Sequence, residues 1–246
     1  NPKNKKFSRN KLLKIIHKFD GIICGTDKID RSFLKKAKRL KIVSRTGVGL
    51  NNLDLELLRK SKIKVTYTPE STTQTVAEYV IGLMIYLLRN IDVSRKNFLK
   101  KKWLKIHGKN LDESKIGIIG FGRIGSELAR LLKAFNCKDI LVNDININKK
   151  DLKKYPIKKA SKVKIFKKCN LITFHLPLTK KTKNLVTKKE INFMRNDAIL
   201  INTARGGIIN ESNLYEALKN KKIHSAALDV YSKEPYFGPL KKLDNC

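Results

Sequence analysis

The stretch Lys115-Ile-Gly-Ile-Ile-Gly-Phe-Gly-Arg-Ile-Gly125 decides the fold. Its first half is a short apolar run that predicts a buried β-strand, and its second half carries glycines at positions 120, 122 and 125. The residues that follow, Ser126 to Phe135, place their leucines on one side of a predicted helix. A strand, a G-x-G-x-x-G turn and a helix in this order are typical of the first βαβ unit of a dinucleotide-binding domain.

Each part of this motif has a separate physical task. Gly120 permits the tight turn, Gly122 lets the backbone approach a pyrophosphate, and Gly125 lets the helix pack closely on the strand. The start of the helix presents free N–H groups and a partial positive charge to the phosphates. The next predicted strand, Ile140 to Asn143, ends at Asp144, nineteen residues after Gly125. A carboxylate there can accept hydrogen bonds from ribose hydroxyls and would repel a 2′-phosphate, which favours NAD over NADP.

The sequence as a whole predicts two domains. Up to Tyr67, short apolar runs alternate with helical stripes, a pattern that predicts a small parallel sheet. Thr68-Pro69 ends this alternation, and a long apolar helix, Val76 to Arg89, follows. We therefore predict one domain over residues 1–72 and a second over residues 73–246. The predicted fold class is α/β, with a doubly wound parallel sheet in the second domain.

Polar residues follow three further predicted strands of the second domain. The stretches in question are His175-Leu-Pro177, Asn202-Thr203-Ala-Arg205 and Asp229-Val-Tyr-Ser-Lys-Glu234. Ligands of open α/β sheets bind at the carboxyl ends of the strands. We therefore expect these groups to converge on the nicotinamide end of the cofactor.

Several motifs together resemble one enzyme family in the order in which that family carries them. They are Arg45-Thr-Gly-Val-Gly49 with Asn52 and Asp54, Val76-Ala-Glu78, Trp103, the glycine loop, His175-Leu-Pro-Leu-Thr179, Asn202-Thr-Ala-Arg-Gly-Gly207, and Leu228-Asp-Val-Tyr231 with Glu234-Pro235. On these motifs the chain resembles the D-isomer-specific 2-hydroxyacid dehydrogenases, which include phosphoglycerate, glycerate/hydroxypyruvate and D-lactate dehydrogenases. The resemblance implies a Rossmann domain and a smaller, flavodoxin-like substrate domain, incomplete at both chain ends. It also implies hydride transfer between NAD and the α-carbon of a small D-2-hydroxy or 2-keto acid, such as 3-phosphoglycerate or hydroxypyruvate, bound between the two domains.

The resemblance also implies which residues contact the cofactor. Beyond the three glycines and Asp144, these are Arg123 and Ile124 at the pyrophosphate, His175 and Pro177 along the cofactor, and Thr203 and Asp229 at the nicotinamide end. In this family the histidine corresponding to His175 lines the cofactor and is not the proton donor. No metal site is expected.

Two residues carry implied catalytic roles, and three carry implied substrate contacts. Arg205 matches the arginine that holds the substrate carboxylate and polarises the keto oxygen, for which the guanidinium fork is suited. Glu234 matches the glutamate that pairs with the catalytic histidine and raises its pKa. Val48 and Gly49 match a loop whose N–H groups receive the substrate carboxylate. Arg45 either holds an anionic substrate or braces that loop.

The acid/base histidine of the family is expected downstream of Pro235, beyond residue 246, so we expect the chain to be a fragment. One alternative remains open at this point: an NAD-binding regulatory or corepressor-like relative without turnover. A Pro-His-x-Gly segment downstream would favour the enzyme.

The composition indicates which partners and which cellular compartment to expect. Lys and Arg number 55 against 21 Asp and Glu, a net charge of +34. The lysines are spread along the chain without clustered arginines and aromatics, so we expect no specific nucleic-acid partner. Four unpaired cysteines and the absence of a signal peptide or a membrane-spanning apolar run predict a cytoplasmic protein. The resemblance implies a homodimer through the long apolar helix.

Overall fold

The computed structural model describes residues 7–147 and 149–246, and residues 1–6 of the predicted first domain therefore lie outside the described part. The chain divides into two compact units, Asn1–Thr72 and Thr73–Cys246. The elements of the first unit are α1 (Arg9–Ile15), β1 (Gly21–Cys24), α2 (Arg31–Lys36), β2 (Ile42–Arg45), α3 (Leu55–Lys60) and β3 (Lys64–Tyr67), with a 3₁₀ turn at Ile16–Lys18.

The first unit is a three-stranded parallel sheet in the order β1-β2-β3. Asp30 and Asp54 begin the helices α2 and α3, because each side chain accepts the N–H three residues ahead at 3.0 Å. Phe33 and Leu58 of these helices are fully buried in the core of the unit. The carboxyl ends of the three strands lie in register at Cys24, Arg45 and Tyr67.

The second unit is larger. Its elements are α4 (Thr73–Leu88), α5 (Ile91–Leu99), β4 (Ile116–Ile119), α6 (Arg123–Ala134), β5 (Ile140–Asn143), α7 (Lys149–Lys154), β6 (Ile157–Lys159), α8 (Lys162–Lys168), β7 (Leu171–Phe174), α9 (Lys188–Phe193), β8 (Ile199–Asn202), α10 (Glu211–Lys219) and β9 (Ser225–Leu228), with a 3₁₀ turn at Pro239–Lys242.

The six strands of this unit form one parallel sheet in the order β6-β5-β4-β7-β8-β9. The chain winds outward from β4 through β5 to β6, and then returns to the other side of β4 and winds outward through β7, β8 and β9. This reversal makes the carboxyl ends of β4 and β7 the topological switch point, where ligands of such sheets bind. The predicted fold class, a doubly wound α/β sheet in the longer domain, is confirmed.

Both faces of the six-stranded sheet are covered. All residues of β4, β7 and β8 are buried, as expected for central strands of a parallel sheet. On one face, Met84 of α4 and Leu128 of α6 belong to one apolar cluster. On the other face, Ile165 of α8 and Leu214 of α10 belong to another.

Two elements differ from the sequence prediction. The helix after the glycine loop begins at Arg123, three residues earlier than expected, so Gly125 lies inside it. The polar stretch before Trp103 contains the helix α5, which was not predicted and which buries none of its residues. An ion pair one turn apart, Lys96 with Asp92 at 2.7 Å, lies along α5. Among the described residues, no helix is both long and apolar enough to cross a membrane.

Candidate functional site

The three glycines of the loop after β4 have three different environments. Gly120 has a φ of +100°, and a Cβ there would overlap the backbone carbonyl of His175. A Cβ on Gly125 would overlap the carbonyl oxygen of Gly120, so the glycine lets α6 pack against the loop. Gly122 differs, because a Cβ there would meet no atom within 4 Å. The fold therefore requires glycine at 120 and 125, whereas at 122 it leaves open space beside the backbone.

The first turn of α6 presents free backbone donors. Gly122 is the N-cap residue of α6 and provides no side-chain hydrogen bond. The first backbone N–H of α6 that donates a hydrogen bond within the protein is that of Ser126, which donates to the carbonyl oxygen of Gly122 at 2.9 Å. Within the described chain, the N–H groups of Arg123, Ile124 and Gly125 donate to no protein acceptor. A row of free N–H groups at a helix start is suited to an anion such as a phosphate.

Asp144 lies at the end of β5 and contacts the glycine loop directly. Its Oδ2 accepts the N–H of Phe121 at 2.7 Å, and its Oδ1 accepts the N–H of Asn146 at 2.7 Å. Asp144 was predicted to accept hydrogen bonds from ribose hydroxyls, whereas its hydrogen bond to the glycine loop was not predicted. Each carboxylate oxygen has two acceptor positions, so Asp144 retains capacity for hydroxyl donors from a ligand.

His175 and Thr203 stand beside each other at the switch-point end of the sheet. They follow β7 and β8, whose last residues Phe174 and Asn202 are paired in register. His175 Nε2 lies 3.1 Å from Thr173 Oγ1, whereas its Nδ1 is buried without a hydrogen-bond partner. Thr203 Oγ1 is likewise buried and unpartnered. Buried polar atoms without a partner are uncommon, so these two atoms are candidates for hydrogen bonds to a polar ligand.

Burial also determines the charge of His175. Desolvation lowers the pKa of its imidazole to about 4, so the ring is neutral near pH 7. A neutral ring with its Nε2 beside Thr173 is suited to a hydrogen bond with a ligand. Such a ring is poorly suited to donate a proton in a reaction near pH 7, and the role of His175 along the cofactor stays a prediction.

The turn that carries Arg205 is built by the buried side chain of Asn202. The Asn202 Oδ1 accepts the N–H of Ala204 at 3.1 Å, and its Nδ2 donates to the carbonyl oxygen of Arg205 at 3.0 Å. The Arg205 guanidinium is half-buried and donates to the carbonyl oxygen of Ala204 at 2.6 Å. Asn202 belongs to one of the motifs of the sequence, but no role was predicted for its side chain.

The third polar loop follows β9 and carries Asp229 and Glu234. The pKa of Asp229 is raised by desolvation and, secondarily, by the charge of Glu234. Glu234 is exposed, and its Oε1 accepts the N–H of Tyr231 at 3.0 Å. Gly206, beside Arg205, lies against the backbone of Tyr231 so closely that a Cβ would overlap it. The loops after β8 and β9 are therefore in direct contact.

The candidate cofactor residues thus lie along the carboxyl edge of one sheet. Gly120 to Gly125, Asp144, His175 with the exposed Pro177, Thr203 and Asp229 follow β4, β5, β7, β8 and β9 respectively. The residues fit a dinucleotide, since free N–H groups, an acidic acceptor and two unpartnered polar atoms follow one another across the switch point.

The predicted substrate residues Arg45, Val48 and Gly49 lie in the first unit, at and after the end of β2. Arg45 Nε donates to Asn52 Oδ1 at 3.3 Å, and its guanidinium lies against Gly47, whose φ is +119°. These contacts support the interpretation that Arg45 braces the loop. Gly47 N–H donates to Thr68 Oγ1 at 2.7 Å, whereas the N–H groups of Val48 and Gly49 donate to no acceptor among the described residues.

Comparisons with known proteins agree with this geometry. The family model described as "D-isomer specific 2-hydroxyacid dehydrogenase, NAD binding domain" matches residues 81–246. The hydroxypyruvate reductase of Thermotoga maritima is 34% identical over 244 residues, which cover 96% of this chain and 78% of that protein. The D-3-phosphoglycerate dehydrogenase of Methanocaldococcus jannaschii is 36% identical over 249 residues, covering 97% of this chain. The chain spans only 46% of the length of that dehydrogenase.

A solved structure has the same fold. It is the D-lactate dehydrogenase of Aquifex aeolicus complexed with NAD and lactic acid, with a TM-score of 0.82 and 28% identity. The match covers 90% of this chain and 67% of that one. From the family model and the Thermotoga relative together, the chain belongs to the D-isomer-specific 2-hydroxyacid dehydrogenase family and contains its NAD-binding domain.

Proposed function

We propose that the protein is an oxidoreductase that transfers hydride between NAD and the α-carbon of a small D-2-hydroxy or 2-keto acid. The observation that carries this proposal is the pair of buried, unpartnered polar atoms, His175 Nδ1 and Thr203 Oγ1. They follow the neighbouring strands β7 and β8, and β7 is also paired with β4, which carries the glycine loop. Bound NAD supplies the two-electron redox chemistry there.

The cofactor residues are proposed to divide between the two ends of NAD. The N–H groups of Arg123, Ile124 and Gly125 bind the pyrophosphate, and Asp144 accepts the adenosine ribose hydroxyls and disfavours a 2′-phosphate. His175 and Thr203 hold the nicotinamide half, with Asp229 beside them, and Pro177 lines the cofactor.

Arg205 is proposed to bind the substrate. Its guanidinium can hold the carboxylate and polarise the keto oxygen through two parallel N–H groups. The turn built by Asn202 fixes the backbone from which the guanidinium projects. In the first unit, the free N–H groups of Val48 and Gly49 are suited to a carboxylate as well.

Glu234 is proposed to pair with the acid/base histidine of the reaction and to raise the pKa of that histidine. Asp229 and Glu234 repel each other, since the charge of Glu234 raises the pKa of Asp229. A cation between these carboxylates would therefore be stabilised, and a protonated imidazole is such a cation.

Substrate turnover on a panel of 2-keto acids tests the proposal. The complete polypeptide is assayed with NADH and hydroxypyruvate, glyoxylate, pyruvate or phosphohydroxypyruvate, which also identifies the substrate. Arg205→Lys should lower kcat/KM about 100-fold or more, because Lys lacks the guanidinium fork. Arg195→Lys, in the exposed pair with Asp197, is the matched control and should change little. Near-normal kcat/KM in Arg205→Lys would refute the assigned role, and NADH binding without turnover would favour the regulatory relative.

We further propose a cytoplasmic homodimer that forms through the second unit. The long helix α4, which the resemblance implied as the interface, buries Val80 and Met84 in the core of its own unit, so we assign the interface to the segment that follows it. Phe98, Leu99, Trp103 and Leu104 lie within seven residues of one another in sequence and are exposed, Trp103 by 93%, and exposed large apolar side chains are candidates for an interface. The buried free thiols of Cys24, Cys137 and Cys169 are compatible with a reducing compartment. Sedimentation of Trp103→Ser should show a higher monomer fraction than the unsubstituted protein. An unchanged fraction would contradict this interface.

A further inference from the structure

Glu211 contacts the loop that carries Asp229 and Glu234, and no proposed role above includes it. Its Oε1 accepts the backbone N–H of Ser232 at 2.6 Å and the Ser232 hydroxyl at 2.7 Å. Ser232 is 21 residues away in sequence and lies two residues before Glu234. Glu211 is thus bonded twice to a single residue of the loop after β9.

The position of Glu211 at the start of α10 does not by itself explain these bonds. The N-cap residue Asn210 already caps the helix, because its side chain accepts the N–H of Asn213 at 3.0 Å. The Glu211 carboxylate is therefore free to turn outward from the helix to Ser232. Both bonds to a charged acceptor are short and correspondingly strong.

Two glutamates accept hydrogen bonds from consecutive backbone N–H groups of the same loop. Glu234 accepts the N–H of Tyr231 at 3.0 Å, and Glu211 accepts the next N–H, that of Ser232. If Glu234 leaves Tyr231 to pair with an imidazole, the bond from Glu211 still fixes the loop. The contact of Gly206 with the backbone of Tyr231 connects the same loop to the turn of Arg205.

We propose that Glu211 is a positioning residue: by accepting both donors of Ser232, it fixes Glu234 relative to Arg205. The inference rests on the proposed function, since it concerns the two residues assigned there to the proton donor and the substrate. The carboxylate acts as a hydrogen-bond acceptor, so an amide oxygen at the same position preserves most of its effect.

Three variants of α10 separate this role from a general effect on stability. Glu211→Ala removes the acceptor, and Glu211→Gln retains an oxygen acceptor while removing the charge. Glu216→Ala is the matched control, because Glu216 is an exposed glutamate of the same helix. Each variant is assayed in the complete polypeptide for kcat, KM of the 2-keto acid, Kd of NADH and the pH profile of reduction.

In Glu211→Ala we expect kcat/KM to fall about 10- to 100-fold, because small displacements of catalytic groups have effects of that size. The Kd of NADH should change by less than about twofold, since Glu211 contacts no proposed cofactor residue. A displaced Glu234 stabilises the protonated histidine less, so the pKa of that histidine should fall. The alkaline limb of the pH profile of reduction should therefore move to lower pH by about half a unit. Glu211→Gln should retain activity within about threefold, and Glu216→Ala should match the unsubstituted protein.

Two results would overturn the inference: a Glu211→Ala variant with a normal pH profile and kcat/KM, or a Glu211→Gln variant as impaired as Glu211→Ala. If Glu211→Ala does not fold, Ser232→Ala removes one of the two donors and should shift the alkaline limb in the same direction. A normal limb in Ser232→Ala would then count against the inference. Failure of the unsubstituted protein to reduce any 2-keto acid would instead refute the proposed function.

Discussion

The carboxylate of Asp144 and the backbone N–H of Phe121 are joined by a hydrogen bond of 2.7 Å between Oδ2 and N. The bond connects the end of β5 to the middle of the glycine loop, 23 residues earlier in the chain. The second oxygen of Asp144 accepts the N–H of Asn146, so the carboxylate fixes backbone in both the glycine loop and the loop after β5. A residue that was predicted to contact only the cofactor therefore also shapes the loop that is proposed to bind the pyrophosphate.

Replacement of Asp144 should weaken NAD binding through both effects. In Asp144→Ala the ribose hydroxyls lose an acceptor and the Phe121 N–H loses its partner, so we expect the Kd of NADH to rise about 10- to 100-fold. The preference for NADH over NADPH should fall at the same time, because the charge that repels a 2′-phosphate is removed. Calorimetric titration with both cofactors measures this, with the exposed Asp112→Ala as control. An unchanged preference would contradict the role in cofactor choice.

Alanine substitutions at two glycines of the loop should have different effects, one on stability and the other on cofactor affinity. Gly125→Ala places a methyl group on the carbonyl oxygen of Gly120, and overpacking of this kind costs about 1–3 kcal/mol. Gly122→Ala places the methyl group in open space at a φ of −79° that alanine adopts readily, so the fold should retain its stability. We expect Gly125→Ala to lower Tm by several degrees, and Gly122→Ala to lower NADH affinity at nearly unchanged Tm.

Thermal melts with and without NADH distinguish the two glycine variants. If Gly122→Ala bound NADH normally, the open space beside Gly122 would not be the pyrophosphate site.

Most of the fold, and the positions at which the strands end, could be predicted from the sequence. The apolar run Ile140 to Asn143 predicted β5 with its observed bounds, and the topological rule for parallel sheets then put Asp144 and His175 at one edge. The sequence did not reveal α5, because five of its nine residues are polar and none is buried, so the segment was interpreted as a polar connection.

The contacts within the site could not be predicted in the same way. Asp144 with Phe121 and Glu211 with Ser232 are side-chain to backbone bonds across more than 20 residues, and no local pattern signals them. The turn held by Asn202 had a local signal that was available, since asparagine often bonds the backbone two residues ahead. The orphaned atoms of His175 and Thr203 depend on tertiary burial, which composition does not reveal.

Asn202 should be important for both stability and substrate binding. The side chain is 2% exposed and makes two hydrogen bonds with the turn, so Asn202→Ala should lower the free energy of unfolding by about 2–3 kcal/mol. Asn202→Asp should be worse, because a buried carboxylate oxygen would face the carbonyl oxygen of Arg205. Urea denaturation gives the order of stability. In Asn202→Ala, the KM of the 2-keto acid should rise more than the Kd of NADH, and the reverse order would argue against a role in holding Arg205.

His175 should make the stability of the protein depend on pH. Burial lowers the pKa of the imidazole from 6.5 to about 4 in the folded state, so between these values the unfolded chain takes up a proton that the folded chain does not. Stability from this group is therefore complete above pH 6.5 and is lost as the pH falls toward 4. At about pH 5 the loss amounts to about 2 kcal/mol.

His175→Gln removes the titrating group while keeping a polar side chain of similar length. Urea denaturation near pH 7.5 and near pH 5 should show a smaller loss of stability on acidification in His175→Gln than in the unsubstituted protein, by about 2 kcal/mol. Other groups that titrate over this interval contribute equally to both proteins and cancel in the difference. His107→Gln, at an exposed site, is the control variant. Equal losses in His175→Gln and the unsubstituted protein would mean that the imidazole is solvated and free to ionise, and it would then be available as a proton donor after all.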